Sequence, residues 1–330
     1  MEKVKVLYLA GTMRSGSTIL GRLLGELPEA VHVGELGQLT RIPAYEAIRC
    51  ECRNSVADCS FWQAVLAQAF GAFDETDMAA FQVTRAEYRL RTLPRLLLLR
   101  SATQTRRLRA YLTALGALYT AVRDISGASV IVDGSKDPLY ALLLSQVPVI
   151  DLQVVHLVRD SRAVAFSQQR IKKDPAAVPN PAQLARFPPW QTALQWNAAT
   201  SLLDTAYHPR PLLLRYEDFV ADPSAAVERV WAMTGRPLPP LDFLRAPALT
   251  LVQGHSAAGN PDRFQSEVRI KPDVEWRTKM RLADRAVVTA LTLPLLLRHG
   301  YVSPPLVKPS PANSACVCAM TCATISDYFQ

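Results

Sequence analysis

Residues 11–18, Gly-Thr-Met-Arg-Ser-Gly-Ser-Thr, join two apolar segments whose periods differ. Upstream, residues 4–10 are rich in β-formers and long enough for one buried strand; downstream, Ile19, Leu20, Leu23, Leu24 and Leu27 recur at helical spacing until Pro28. A strand that turns through glycines into a helix start aims free backbone N–H groups and the positive helix end at one point, which suits an anion. The junction predicts an α/β fold with a ligand edge.

The spacing Gly11-x4-Gly16-Ser17-Thr18 nearly matches the P-loop of nucleotide-binding proteins, Gly-x4-Gly-Lys-Ser/Thr, but Ser17 stands where that loop has lysine. That lysine reaches the outer phosphates. A cradle that lacks it and carries Arg14 instead predicts a phosphorylated nucleotide held by something other than a conventional ATPase or GTPase. The plainer alternative is a glycine-rich turn without a ligand.

Further strands are predicted at residues 30–33, 130–133, 152–158 and 211–215, with helical periods between them. That alternation predicts a P-loop-like three-layer α/β fold: a central parallel sheet with helices on both faces. Residues 11–18, Glu35, Lys136, Arg159 and Tyr216 each follow a predicted strand. In an open parallel sheet the carboxyl ends of the strands share the ligand crevice, so these segments should meet on one edge. Residues 61–126 read as a mostly helical insertion, and residues 174–189 as a proline-rich loop that could form a lid. Asp222 and Pro223 form an N-cap and first helical residue. One domain is expected over 1–302, followed by a disordered, cysteine-containing tail at 303–330.

With 37 Lys and Arg against 29 Asp and Glu, the 330-residue chain has a formal charge of +8, which favours an anionic ligand. It carries no aromatic-studded basic module of the kind that binds nucleic acid. The longest apolar runs, such as residues 286–297, are interrupted by Thr and Pro and fall short of the ~20 residues of a membrane span. No signal-peptide core opens the chain, and a cytoplasmic location is expected. Six cysteines form two clusters, Cys50, Cys52 and Cys59, then Cys316, Cys318 and Cys322. The first could supply three metal ligands with a remote histidine; the other reading, favoured for a reducing compartment, is three unbonded thiols or one oxidisable pair.

Two motifs carry a family resemblance. Arg14-Ser-Gly-Ser-Thr-Ile-Leu resembles the 5'-phosphosulfate loop of sulfotransferases that use 3'-phosphoadenosine 5'-phosphosulfate (PAPS), and Leu157-Val-Arg-Asp-Ser-Arg162 through Ser167 resembles their 3'-phosphate motif. The similarity runs in patches from residue 4 to about residue 280, most closely to bacterial and tyrosylprotein sulfotransferases. It implies that Arg14, Ser15, Gly16, Ser17, Thr18 and Ile19 hold the phosphosulfate, and that Arg159 and Ser167 hold the 3'-phosphate. By the same resemblance Glu35 is the general base for an acceptor hydroxyl, while Lys136 and Arg14 stabilise charge on the transferring group. His32, near Glu35, reads as a packed histidine. Tyr216 has two readings, a nucleotide neighbour or a core side chain.

The segment from His255 to Phe264 is similar to a Gly-Asn-Pro-x-Arg-Phe loop of the bacterial enzymes, which makes Arg263 a late 3'-phosphate contact. The glycine expected after Phe264 is absent, and so is the Arg-Lys-Gly motif of cytosolic animal sulfotransferases. The implied donor is PAPS, with no metal required, and the acceptor is a small metabolite, carbohydrate, lipid or tyrosine hydroxyl. The sequence leaves oligomeric state open. Two rivals remain at this point, a kinase-like phosphotransferase and a non-catalytic nucleotide-binding protein.

Overall fold

The computed structural model describes residues 2–39, 48–71, 106–170 and 187–302. The first strand, β1 (Val4–Gly11), leads into α1 (Ser17–Gly25), β2 (Ala30–Gly34) and the short α2 (Leu36–Leu39). Helices α3 (Ser60–Phe70) and α4 (Arg106–Ser126) precede β3 (Val130–Lys136), α5 (Pro138–Leu144) and β4 (Ile150–Val158). Then come α6 (Ser161–Gln169), α7 (Pro189–Thr205), β5 (Leu212–Arg215), α8 (Tyr216–Ala221) and α9 (Pro223–Ala232). Two small strands, β6 (Leu249–Thr250) and β7 (Glu267–Val268), pair antiparallel, and α10 (Trp276–Lys279) and α11 (Leu282–Arg298) close the described chain.

The five larger strands form one parallel sheet in the order β2-β3-β1-β4-β5. Burial on both faces selects this arrangement. Along β1, Val6 and Tyr8 join one core cluster with α3, α4 and α5, whereas Leu7 and Leu9 join another with α1, α8 and α9. Alternate side chains of a strand point to opposite faces, so a strand apolar at every position needs helices above and below it. The three-layer architecture is therefore the one expected from the sequence. The strand order was not legible, because it depends on which crossover packs beside which.

β1 lies at the centre, with chain laid first to one side and then to the other. That switch opens a crevice at the carboxyl ends of β1 and its neighbours, where the strand-end residues gather. The Asp222 cap matches the sequence reading, its carboxylate accepting from Ala225 N; Asp137 caps α5 in the same way, accepting from Leu139 N. No helix among the described residues is long and apolar enough to cross a membrane. The middle of the expected helical insertion, most of the 174–189 loop and the 303–330 tail lie outside the described residues.

Asp133 in β3 is fully buried and accepts hydrogen bonds from Ser135 N and the Tyr119 hydroxyl. Burial drives its pKa up to about 6, against the opposing pull of those hydrogen bonds. Its proton is bound more tightly in the folded chain, so this group favours folding below about pH 4 and that contribution is lost as pH rises to about 6. In chemical denaturation across this range, Asp133→Asn should flatten the decline in stability; an unchanged profile would contradict the assignment.

Candidate active site

Gly16 sets the shape of the loop between β1 and α1. Its φ of 95° lies in the left-handed region, and a Cβ there would stand 2.6 Å from Cδ2 of Tyr216. Only glycine lets the tyrosine ring close against the loop. Gly16 also caps α1, its carbonyl accepting from Ile19 N and Leu20 N at 3.1 Å, so the first turn of α1, with Thr18 and Ile19, starts at the crevice. The hydroxyl oxygens of Ser15 and Ser17 are buried and make no hydrogen bond among the described residues. A buried polar group left so costs ~1–3 kcal/mol, which a bound anion at this helix end would recover.

Arg14 extends from the same loop at φ 68°, and burial draws its pKa below the ordinary guanidinium value. Asp262 opposes that shift, while Arg159 and Arg170 add to it. Arg159, directly after β4, is buried and donates from Nη1 to the Arg14 carbonyl at 2.8 Å. Its guanidinium lies over the Tyr216 ring at 4.3 Å, and Nη2 pairs with Asp273 at 3.0 Å. The Tyr216 ring belongs to the core cluster on the α1 face, packs against Gly16 and carries the arginine. Burial raises its hydroxyl pKa, with Asp273 and Glu217 adding and Arg159 opposing. Ser167 is buried on the second turn of α6, which the Asp160 side chain caps. Beside this group opens a cavity of about 620 Å³ lined by Tyr216, Asp273, Trp276 and Arg162.

On the other side of β1, the ends of β2 and β3 bring Glu35 and Lys136 into an ion pair through Oε1 and Nζ. Gln38 Nε2 donates to the other carboxylate oxygen at 3.2 Å, and Lys136 Nζ also donates to the Gly134 carbonyl at 3.2 Å. Glu35 is further anchored by its backbone, whose N–H donates to the Ala257 carbonyl at 2.8 Å. Gly34 allows that approach, since a Cβ there would meet the same carbonyl at 2.3 Å and its φ is 77°. Thr18, Glu35, Gly259 and Arg263 line one small pocket. Arg263 is buried and donates to the Gly259 and Arg49 carbonyls at 2.7 and 3.2 Å, which sets it on the Glu35 side of the cradle.

His32 packs against Gly21 and Gly25 of α1, as the sequence suggested. Burial and the charges of Arg22, Lys136 and Arg263 take its pKa down to about 3, so it is neutral. Three participants went unread. Asp273, the partner of Arg159, lies 114 residues from it. Arg22 on α1 makes a buried ion pair with Glu51 at 3.3 Å and donates to the Gln265 carbonyl at 2.8 Å. The remote histidine beside the first cysteine cluster is His255.

The profile of the sulfotransferase family matches residues 7–240. The chain belongs to this family. Among solved structures it is similar to the sulfotransferase domain of the Synechococcus PCC 7002 olefin synthase, at 17% identity over 92% of this chain and 97% of that one, with a TM-score of 0.49. The sulfotransferase domain from the curacin biosynthetic pathway matches at 14% identity, covering 89% and 98% of the two chains, with a TM-score of 0.48. Sulfotransferase STF9 from Mycobacterium avium matches at 13% identity over 89% and 76%, with a TM-score of 0.45. None of the curated proteins matches significantly.

The Gly16–Tyr216 contact is open to a double-mutant cycle. Gly16→Ala should cost about 1–3 kcal/mol of stability, from strain and from the clash with the ring. In a Tyr216→Ala background the same change should cost less, by a coupling of ~0.5–3 kcal/mol in denaturant titrations. Equal costs in both backgrounds would contradict the contact.

Proposed function

We propose that this sulfotransferase moves a sulfuryl group from PAPS to an acceptor hydroxyl by in-line transfer. The observation that carries the reading is the anion cradle itself. Ser15 and Ser17, whose buried hydroxyls have no partner among the described residues, share one loop with Arg14 and the start of α1, and Arg159 donates to that loop's backbone; this donor set supports a phosphosulfate site. Arg14, Ser15, Gly16, Ser17, Thr18 and Ile19 would hold that group, and Arg159 with Ser167 the 3'-phosphate. The cavity beside Tyr216 has the volume of a small-ligand pocket and would take the nucleoside end. Arg263, expected as a late 3'-phosphate contact, stands on the Glu35 side and would approach the donor from there.

Glu35 is the base in this reading. Its ion pair with Lys136 and its bond from Gln38 orient the carboxylate at the strand ends beside the cradle, where it can take the acceptor's proton. Lys136 and Arg14 would offset the charge that builds as the sulfur passes from phosphate to acceptor oxygen. The transfer itself needs no metal in this scheme. Membership in the sulfotransferase family favours it over phosphoryl transfer, the kinase-like alternative. Trp190, at the start of α7, is half-exposed and is a candidate surface for the acceptor, whether metabolite, carbohydrate, lipid or tyrosine.

The test is transfer of labelled sulfate from PAPS to a panel of hydroxyl acceptors without added divalent cation. Glu35→Gln should lower kcat by ~10²- to 10⁴-fold while nucleotide affinity stays nearly constant. Near-normal turnover of the variant would remove Glu35 from the chemistry, and magnesium-dependent transfer from ATP with none from PAPS would restore the phosphotransferase.

A further inference from the structure

Far from the β1 cradle in sequence, residues 48–62 and residue 255 assemble a second cluster. Cys50, Cys52, Cys59 and His255 place one ligand atom each, three sulfurs and a ring nitrogen, within 4.8 Å of one another. Cys50 Sγ and Cys59 Sγ are 3.6 Å apart, and His255 Nδ1 lies 3.8 Å from the first and 3.3 Å from the second. A tetrahedral zinc with Zn–S of about 2.3 Å and Zn–N of about 2.0–2.1 Å sets its ligand atoms about 3.5–3.8 Å apart. The three edges among Cys50, Cys59 and His255 are close to those values, and Cys52 Sγ lies within 4.8 Å of each.

The surroundings hold the ligands in place. Residues 49–55 fold back on themselves: Arg49 bridges Ser55, the Asn54 carbonyl accepts from Cys50 N at 2.9 Å, and Arg53 takes φ 74° to make the turn. This brings Cys50 and Cys52 to one side, and Cys59 arrives at the cap of α3. The His255 ring stacks on Phe61 at 5.0 Å and 11°, while Trp62 Nε1 donates to the His255 carbonyl at 2.8 Å. A fixed imidazole whose Nδ1 faces two thiols is what an outer shell does for a metal-binding histidine.

We propose that Cys50, Cys52, Cys59 and His255 bind one zinc ion in a closed Cys₃His site. Binding releases a proton from each thiol to solvent and leaves three thiolates and a neutral imidazole on the metal. Four protein ligands and no open position make the site structural, which separates it from the sulfuryl transfer at the cradle. Its task follows from what it joins. His255 begins the segment whose Ala257 carbonyl receives the Glu35 N–H and whose Gly259 and Arg263 line the Glu35 pocket. The zinc ties that segment to α3 and so fixes the wall beside Glu35.

The experiment is metal analysis of the full chain, purified under reducing conditions without chelator or histidine tag. About one zinc per chain is expected, released in step with titration of thiols by a mercurial. Because the chain has three more cysteines, a Cys316→Ser, Cys318→Ser, Cys322→Ser variant should keep the zinc. Cys52→Ser and His255→Ala should each lose most of it, and substitution with Co²⁺ should give the visible bands of a tetrahedral thiolate site. Hydrogen exchange offers a readout apart from activity: zinc removal should reduce protection at residues 255–263. A metal-free protein with all thiols titratable, a Cys50–Cys59 disulfide, or zinc retained in both ligand variants would overturn the proposal.

Discussion

A parallel sheet buried on both faces has only its two ends open to solvent, and this constraint organises the whole molecule. Because β1 is apolar at nearly every position, helices must cover it above and below, leaving chemistry only at the strand ends. All five strands run the same way, so the residues that follow them converge on one edge from positions scattered over some 200 residues. Glu35 meets Lys136, and Arg14 meets Arg159, for this reason and no other.

The edge divides into two electrostatic halves. On the β4 and β5 side, Arg159 and Arg170 both pair with Asp273, whose carboxyl would rise with burial but is held below its ordinary pKa by the two arginines. Arg14 feels both arginines and Asp262, and Arg170 also pairs with Glu275 at 2.6 Å. On the β2 and β3 side, Glu35 and Lys136 balance each other, and the neutral His32 behind them adds no charge. In the proposed reading, cofactor binding and proton transfer fall to opposite sides of the central strand.

What the sequence made legible was local. That the cradle, Glu35, Lys136 and Arg159 meet on one edge could be read because each stands at the end of a strand, which the period of the residues before it marks; the roles assigned to them came from the family resemblance. Asp273, the Arg22–Glu51 pair and His255 could not, since their partners lie 114, 29 and 196 residues away and no periodic signal links them. Arg263 shows the intermediate case. Its motif located the loop, but which side of the cradle it faces depends on the hydrogen bonds to Gly259 and Arg49, which only the fold supplies. The cysteines were visible as a cluster, read first as free thiols, and only the fold shows that His255 stands beside them.

The central claim is that this edge binds a nucleotide bearing a 3'-phosphate. Calorimetric titration with 3'-phosphoadenosine 5'-phosphate, with AMP alongside, tests it most directly. The account predicts micromolar binding that AMP does not match and that Arg159→Ala weakens by ~1.5–3 kcal/mol, the contribution of a charged hydrogen bond. Equal affinity for AMP, or binding indifferent to Arg159, would contradict it.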